Sequence, residues 1–511
     1  MTLLRASLLL LAVAGASKLT TLAADSYVAA RFGLSADADA YLLAVGLLGA
    51  LLGAPSETLR LALVPICGRY LRQGDRRRAA GVVALVLGAA VVVGGAAALA
   101  LGLSAPWLAP LAAPGFEGAT RDTAVQLTRM LAPALLLGLV MSVLLGVLHA
   151  QLRFGVPAVA GIGLSAGVIG GGVLLSDALG VSALAAGYVA GTGVAVLVLA
   201  WLARGLFREG AALRGARGEL APFVRLALPT GIAITIVSSG AVIERAVASA
   251  TGAGNVAALG FAIKLVTQAG IISQSIWTPL TPLLIASGSG SRDNDPLLVA
   301  FSIKLVLLIL TLATSLIIAL REPLVAVILE RGAFTAADTS KTATLLALHS
   351  GSLVGEGLFM VAVAALLSLY DATTRLVGSV LFIVAKVVLM FALAPVIGVA
   401  GVAIAASVSS LLAGAFSVAV LARRFPSDTT RDLLACGAKA ALAGLVALAV
   451  AGVIAGLVSS ASPSSNVVVL ALGGLAATAA YLIVLLVLRV QEIETIFRGA
   501  QQRLTQVWSR P

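Results

Sequence analysis

Apolar runs of about 20 residues recur along this chain, separated by charged or Gly/Pro/Ser-rich breaks, and they fix the fold class. A helix crosses the ~30 Å hydrocarbon layer of a membrane in about 20 residues, whereas a β-barrel strand shows alternation over about 10. Of 511 residues, 60% are hydrophobic and only 11% charged, with a mean hydropathy of +1.10. A soluble chain of this length needs far more polar surface. The expected class is an all-α polytopic membrane protein. In a soluble protein the net charge of +12 would point to nucleic acid. Here it is read as cytoplasmic loops facing anionic lipid, so membrane lipids, and not nucleic acid, are the expected partners.

The runs place spans near 8–30, 41–63, 80–103, 124–148, 156–175 and 181–202, then, after a basic linker, 223–247, 256–285, 297–318, 342–369, 376–394 and 399–421. Two more, 434–457 and 467–488, bring the total to about 14 transmembrane helices. Arg5 followed by apolar residues imitates a signal peptide, but the pattern continues past Lys18, so this stretch is read as the start of the first span. With the N-terminus inside, roughly 21 Lys and Arg fall in cytoplasmic segments against roughly 5 outside. Both termini are therefore expected in the cytoplasm. Cys67 and Cys436 fall near cytoplasmic ends, where a disulfide is not expected.

Asp25, Gly33 and Ala38 are matched by Glu244, Gly252 and Ala257 about 219 residues on, and Leu202-Ala203-Arg204 by Leu421-Ala422-Arg423 at the same offset. Pro65 and Pro282 are read as ending the second and eighth spans. Two six-helix lobes related by a parallel pseudo-two-fold follow, with two C-terminal helices outside the repeat. The expected domains are 1–210, 211–425 and 426–511. Two lobes enclosing a central site is the plan of a transporter.

Residues 17–65 are mostly apolar yet carry Lys18, Asp25, Arg31, Asp37, Asp39, Glu57 and Arg60. Charges within a span cost several kcal/mol unless they face water or one another, so a polar cavity between helices is expected. Further intramembrane charges are Arg129, Glu244, Arg245, Lys264, Lys304, Glu356, Lys386 and Lys439. Glu244 and Arg245 are placed near the outer end of the seventh span, partly solvated. Lys304 and Lys439 are close enough to cytoplasmic ends to snorkel. Cations in a cavity suit an anionic head group, and carboxylates suit a coupling cation or proton. His149 and His349 form no HExxH motif or credible metal set with the two cysteines, so neither an enzyme nor a metal site is expected. The 54 glycines include no nucleotide-binding signature, and Gly161, Gly167, Gly170, Gly171 and Gly172 are read as close helix packing.

Several segments, in order, resemble the lipid II flippases (MurJ/MviN family) of the multidrug/oligosaccharidyl-lipid/polysaccharide exporter superfamily. Ala105-Pro-Trp107 and Ala113-Pro-Gly-Phe116 are similar to an external family segment, and Arg153-Phe154-x-x-Pro157-Ala158 to a family loop. Ala29, Phe32-Gly33 and Asp39-Ala40-Tyr41 resemble the family's first hairpin, and Glu57 with Val64-Pro65 the end of its second helix. Gly332-x-Phe334-Thr335-x-x-Asp338 and Tyr370-Asp371-x-Thr373 are similar to later family segments. The resemblance implies a flippase moving a polyprenyl-pyrophosphate-linked peptidoglycan precursor to the outer leaflet of a bacterial cytoplasmic membrane by alternating access. It implies a cationic cavity for the pyrophosphate–sugar head and a groove on the last two helices for the lipid tail.

Substrate-binding residues expected on this basis are Lys18, Asp25, Asp39, Glu57, Arg60 and Lys264. Lys18 and Lys264 stand where the family has arginine. Ala24 replaces a second arginine, and the second span lacks the family's Lys-Leu-Pro-Asn-x-x-Arg pattern. Glu244, Glu356 and Lys386 are the expected coupling residues. No cofactor is expected beyond sodium or membrane-potential coupling; either the Lys386 ammonium occupies the space of a sodium ion with Glu244 or Glu356 as its partner, or Lys386 reaches the central cavity as a further head-group contact. The last two helices are expected to hold lipid without completing the core of either lobe. Alternatives are an exporter of another lipid-linked oligosaccharide, or a transport-inactive paralogue scaffolding cell-wall synthesis proteins.

Overall fold

Apolar sequence with few internal breaks gives long helices, and the computed structural model contains little else. It describes residues 3–493 except 152, 154–156, 209, 214–216, 271–295, 369–371, 424 and 459–462. The first helices are α1 (Leu3–Phe32), α2 (Ala36–Arg72), α3 (Arg76–Ala112), α4 (Gly118–Leu131), α5 (Pro133–Ala150), α6 (Pro157–Leu179), α7 (Ser182–Ala203) and α8 (Leu220–Ser249). Then come α9 (Asn255–Ala269), α10 (Pro296–Ala319), α11 (Arg321–Leu329), α12 (Ala336–His349), α13 (Gly351–Ser368), α14 (Ala372–Ile397), α15 (Val399–Ala422), α16 (Ser427–Val458) and α17 (Pro463–Val487). Among the described residues, 11 segments are long and apolar enough to cross a membrane. The 30-residue helices α1 and α8, and the shorter apolar α9, stand where the sequence places the first, seventh and eighth spans.

Several boundaries differ from the sequence reading. Pro65 does not end α2, which passes through Pro55 and Pro65 to Arg72. A proline removes one backbone donor and bends a helix, but flanking helices can hold both halves in line. The fourth span is two helices meeting at Ala132–Pro133, and the tenth breaks near Ser350. Pro282, Tyr370 and Asp371 lie outside the described residues, as do Phe154 and much of the eighth span.

The chain divides into two compact units, Met1–Ala257 with Arg331–Thr335, and Ala258–Glu330 with Ala336–Pro511. In the first, α6 and α7 pack most extensively, because glycines at 163, 167 and 171 meet Gly187 and Gly191 backbone to backbone. A second core joins α2, α3, α5 and α7 around Leu63, Cys67, Val83, Val147 and Leu199. α8 packs along α2 in this unit.

In the second unit, α13, α14 and α15 pack together, and α16 and α17 pair on α10. Ala440, Ala443, Ala447 and Ala451 form a small-residue seam on α16, fully buried with Tyr481 and Leu485 of α17 and Leu308 of α10. The Tyr481 hydroxyl donates to Leu308 O at 2.7 Å. These helices therefore do complete a core, contrary to the sequence reading. Hydropathy alone does not separate a lipid-facing from a helix-facing apolar residue; the spacing of the alanines does. Removing residues 427–493 is expected to leave a chain that cannot be recovered folded from detergent. A monodisperse, protease-resistant truncated protein would contradict this.

Candidate functional site

In the first unit, α1 is set in rotation by α6. Ser17 lies against Gly161, Thr21 near Ser165 (3.4 Å between hydroxyl oxygens), and Tyr27 against Gly172. Lys18 and Asp25, seven residues apart, share another face of α1, about 10 Å apart along the axis. Lys18 is exposed, whereas Asp25 is buried, within electrostatic range of Tyr41, which Tyr188 also approaches. Exposure thus falls from Lys18 to Asp25 along this part of α1. Arg31 beyond it pairs with Asp177 at 2.7 Å on the surface, which contributes little.

The closure is made by three chain segments. The α1–α2 turn carries Gly33 and the N-cap Ser35, whose hydroxyl accepts from Ala38 N. Asp39, 1% exposed, accepts from Gly254 N at 2.5 Å and Ala257 N at 2.6 Å. Gly254 immediately precedes α9 and Ala257 lies in its first turn, where amides lack a partner within the helix, so a carboxylate from α2 caps α9 and meets the positive end of its dipole. The segment 331–335 docks against the end of α1. Ala333 N donates to Ala30 O at 2.7 Å, and Arg331 Nη1 donates to Ser26 Oγ at 3.1 Å. Gly254 (φ +71°) and Gly332 (φ +58°) are left-handed, and a Cβ on either would strike the Leu34 or Ala30 carbonyl. Gly115 N donates to Ser249 Oγ at 3.2 Å, adding the α3–α4 connector to the end of α8.

Deeper in α2, Arg60 Nη2 reaches both oxygens of Glu57 at 2.6 Å, so these two expected binding residues neutralise each other here. Both are more than a third exposed. His149 of α5 lies within electrostatic range of the pair. On α8, Glu244 is buried at 3% exposure. Glu244 is therefore not partly solvated as the sequence reading has it, whereas Arg245 is half-buried. Its Nη1 donates to Ala241 O at 2.7 Å, one turn back along α8, and its guanidinium lies on Gly46 of α2.

In the second unit, Lys264 on α9 is half-buried and Glu356 on α13 is exposed. Lys386 on α14 is buried, with its ammonium 5.0 Å from the centroid of the Phe382 ring, within cation–π range. Lys304 on α10 does not snorkel. It is 7% exposed and pairs with Asp432 of α16 and, at 2.8 Å, with Glu492 beyond α17. Neither the Lys304 cluster nor the role of 331–335 was found from sequence, since their partners lie over a hundred residues away. At the opposite end of the α16–α17 hairpin, a cavity of about 440 Å³ is lined by Glu322, Glu330, Thr339, Ser340, Gly456 and Asn466. Among the described residues, no group of three or more His, Cys, Asp or Glu could hold a metal ion.

The family model for "Lipid II flippase MurJ" matches residues 28–486. A relative from Synechocystis sp., a "Probable lipid II flippase MurJ", is 30% identical over 67% of this chain and 66% of its own length. A solved structure, "Lipid II flippase MurJ, inward closed conformation", superposes with a TM-score of 0.76 at 17% identity, covering 94% of this chain and 100% of that one. An inward-facing multidrug resistance MATE family transporter of the MOP superfamily reaches 0.68 at 16% identity, covering 82% and 95%. At those identities the two structures establish the fold alone: a polytopic, MOP-type helical membrane protein. The match over residues 28–486 establishes more, and the chain belongs to the lipid II flippase MurJ family.

Proposed function

We propose that this protein moves a polyprenyl-pyrophosphate-linked peptidoglycan precursor, lipid II or a close analogue, across a bacterial cytoplasmic membrane by alternating access, without catalysis. The observation that carries the reading is the first unit's architecture. Three segments meet around Asp39 at one end of it while Lys18 on α1 stays exposed. A carrier needs one end shut by contacts that can be remade. Asp39 with two amides, and the Ala30–Ala333 bond, are a small polar set of that kind. The charge bias of the loops supports a cytoplasmic location for both termini. The exposed apolar face of α16 and α17, including Leu434, Leu445, Leu457, Leu475 and Val487, supports a path for the lipid tail. Cell-wall synthesis proteins are proposed as neighbours in the membrane.

Lys18 and Lys264 are the proposed head-group cations. Complementation of a flippase-depleted bacterium tests this. The double Lys18→Ala, Lys264→Ala variant should fail completely, and arginine at both positions should restore growth. Growth of the double alanine variant at the parent rate would reject the assignment of these two cations, whereas failure of the parent chain itself to complement would favour the scaffold reading.

Coupling is proposed to need no sodium, because the Lys386 ammonium is itself a fixed cation in the second unit. Transport should then proceed equally with and without sodium in the parent, and sodium dependence should appear in Lys386→Gln. Sodium dependence of the parent would reject the idea.

A further inference from the structure

Arg245 is four residues from the end of α8. A long cationic side chain one turn from a helix end ordinarily extends to the nearby interface, where its charge is hydrated. This one runs the other way. It bonds to Ala241 O, toward the middle of α8, and its guanidinium lies on Gly46. Gly46 is ten residues into α2, about 15 Å from that helix's start. The guanidinium is thus carried inward along α8, away from the nearby helix end.

The receiving surface is shaped for it. A Cβ at position 46 would stand 2.7 Å from Nη2 and closer still to Nε and Cζ, so only glycine leaves the notch open. A guanidinium has five donors in a planar fork, and the carbonyl of Ala241 engages one edge of it. The residue is half-buried with Glu244 within electrostatic range, and a planar guanidinium is the side chain best matched to an oxyanion as a further acceptor. The pairing of α2 with α8 that covers it extends from the Asp39 end down to Thr58, which lies against Gly231. By the internal repeat α8 opens the second half of the chain, so this seam joins elements from the two halves.

We propose that Arg245 is an anion-binding residue of the transport cycle, parked in the Gly46 notch while α2 and α8 are in contact and released to grip a diphosphate when they part. The inference rests on the flippase reading for the identity of that diphosphate. It adds a guanidinium on α8 to a chain that has lysine where the family has arginine.

The test uses the purified full-length protein in nanodiscs, titrated in separate arms with a long-chain polyprenyl diphosphate and with inorganic pyrophosphate. Arg245→Gln should weaken polyprenyl diphosphate binding by about tenfold or more, the loss of charge-assisted hydrogen bonds, and Arg245→Lys should lose less. Gly46→Ala should act in the opposite direction. Its methyl group evicts the guanidinium from the notch, so the ligand no longer competes with it and binding tightens. A residue that merely locks the seam gives no such opposition. Unchanged affinity in Arg245→Gln and Arg245→Lys, or weakening in Gly46→Ala matching that in Arg245→Gln, overturns the proposal. Melting curves of each variant keep misfolding apart from lost binding. Should Arg245→Gln not fold, unchanged affinity in Arg245→Lys together with no tightening in Gly46→Ala overturns it by itself. Arg245-dependent binding of inorganic pyrophosphate without binding of the polyprenyl form would leave Arg245 an anion site and remove the flippase reading. Polyprenyl binding indifferent to Arg245 would do the reverse.

Discussion

Asp39→Ala is expected to abolish complementation and to lower the melting temperature clearly. The carboxylate is 1% exposed and accepts from two amides at the start of α9. Removing it strands both donors where water does not readily reach, a cost of about 3 kcal/mol, with the favourable dipole interaction lost as well. Asp39→Asn keeps an oxygen acceptor but no charge, and should retain about half of the effect. The partners sit more than two hundred residues away, so no local rearrangement of α2 restores them. An unchanged melting temperature with normal growth for the alanine variant would show that the cap contributes nothing to the closed end.

The second large effect is expected at Lys304. Lys304→Met leaves Glu492, itself 8% exposed at the side chain, without its cation. Breaking a buried pair from one side costs about 3–5 kcal/mol, because the remaining charge is uncompensated. Pairing that change with Glu492→Leu should recover most of the loss, since an apolar replacement of a whole buried pair is often close to neutral. Asp432→Asn should cost much less, about 1 kcal/mol or below, because Asp432 is half exposed and water screens it. Thermal denaturation in detergent distinguishes the three. Equal destabilisation by the single methionine variant and the double variant would mean that packing, not charge, sets the stability here.

The sequence made the helices legible because their signal is local. Twenty apolar residues between breaks identify a span wherever the rest of the chain is. It expected Asp25 and Asp39 to line a polar cavity, and the structure buries both. It did not reveal that Asp39 caps α9, because that contact spans over two hundred residues. Lys304 and Glu244 were misread for one shared reason. Both lie near helix ends, and distance to an end measures how far a side chain would have to reach, not which way its rotamer points. The small-residue seam on α16 was present as Ala440, Ala443, Ala447 and Ala451, but in a chain this rich in alanine it did not stand out. The pairing of Glu57 with Arg60 was legible in their i, i+3 spacing.

Arg489 is the one described non-glycine residue with positive φ, +51°. This turn after α17 folds the chain back, burying Val490 and Ile493 and delivering Glu492 to Lys304. The consequence is one of timing. Glu492 is made 188 residues after Lys304. At about 5–20 residues per second, α10 enters the membrane about 10–40 s before its buried partner exists. Asp432 arrives earlier, 128 residues after Lys304. Until then the ammonium must stay hydrated, so α10 cannot settle to its final depth when it is first inserted. Biogenesis of the second unit therefore includes a vertical adjustment of a helix already in the bilayer, completed only once the turn at Arg489 has been made.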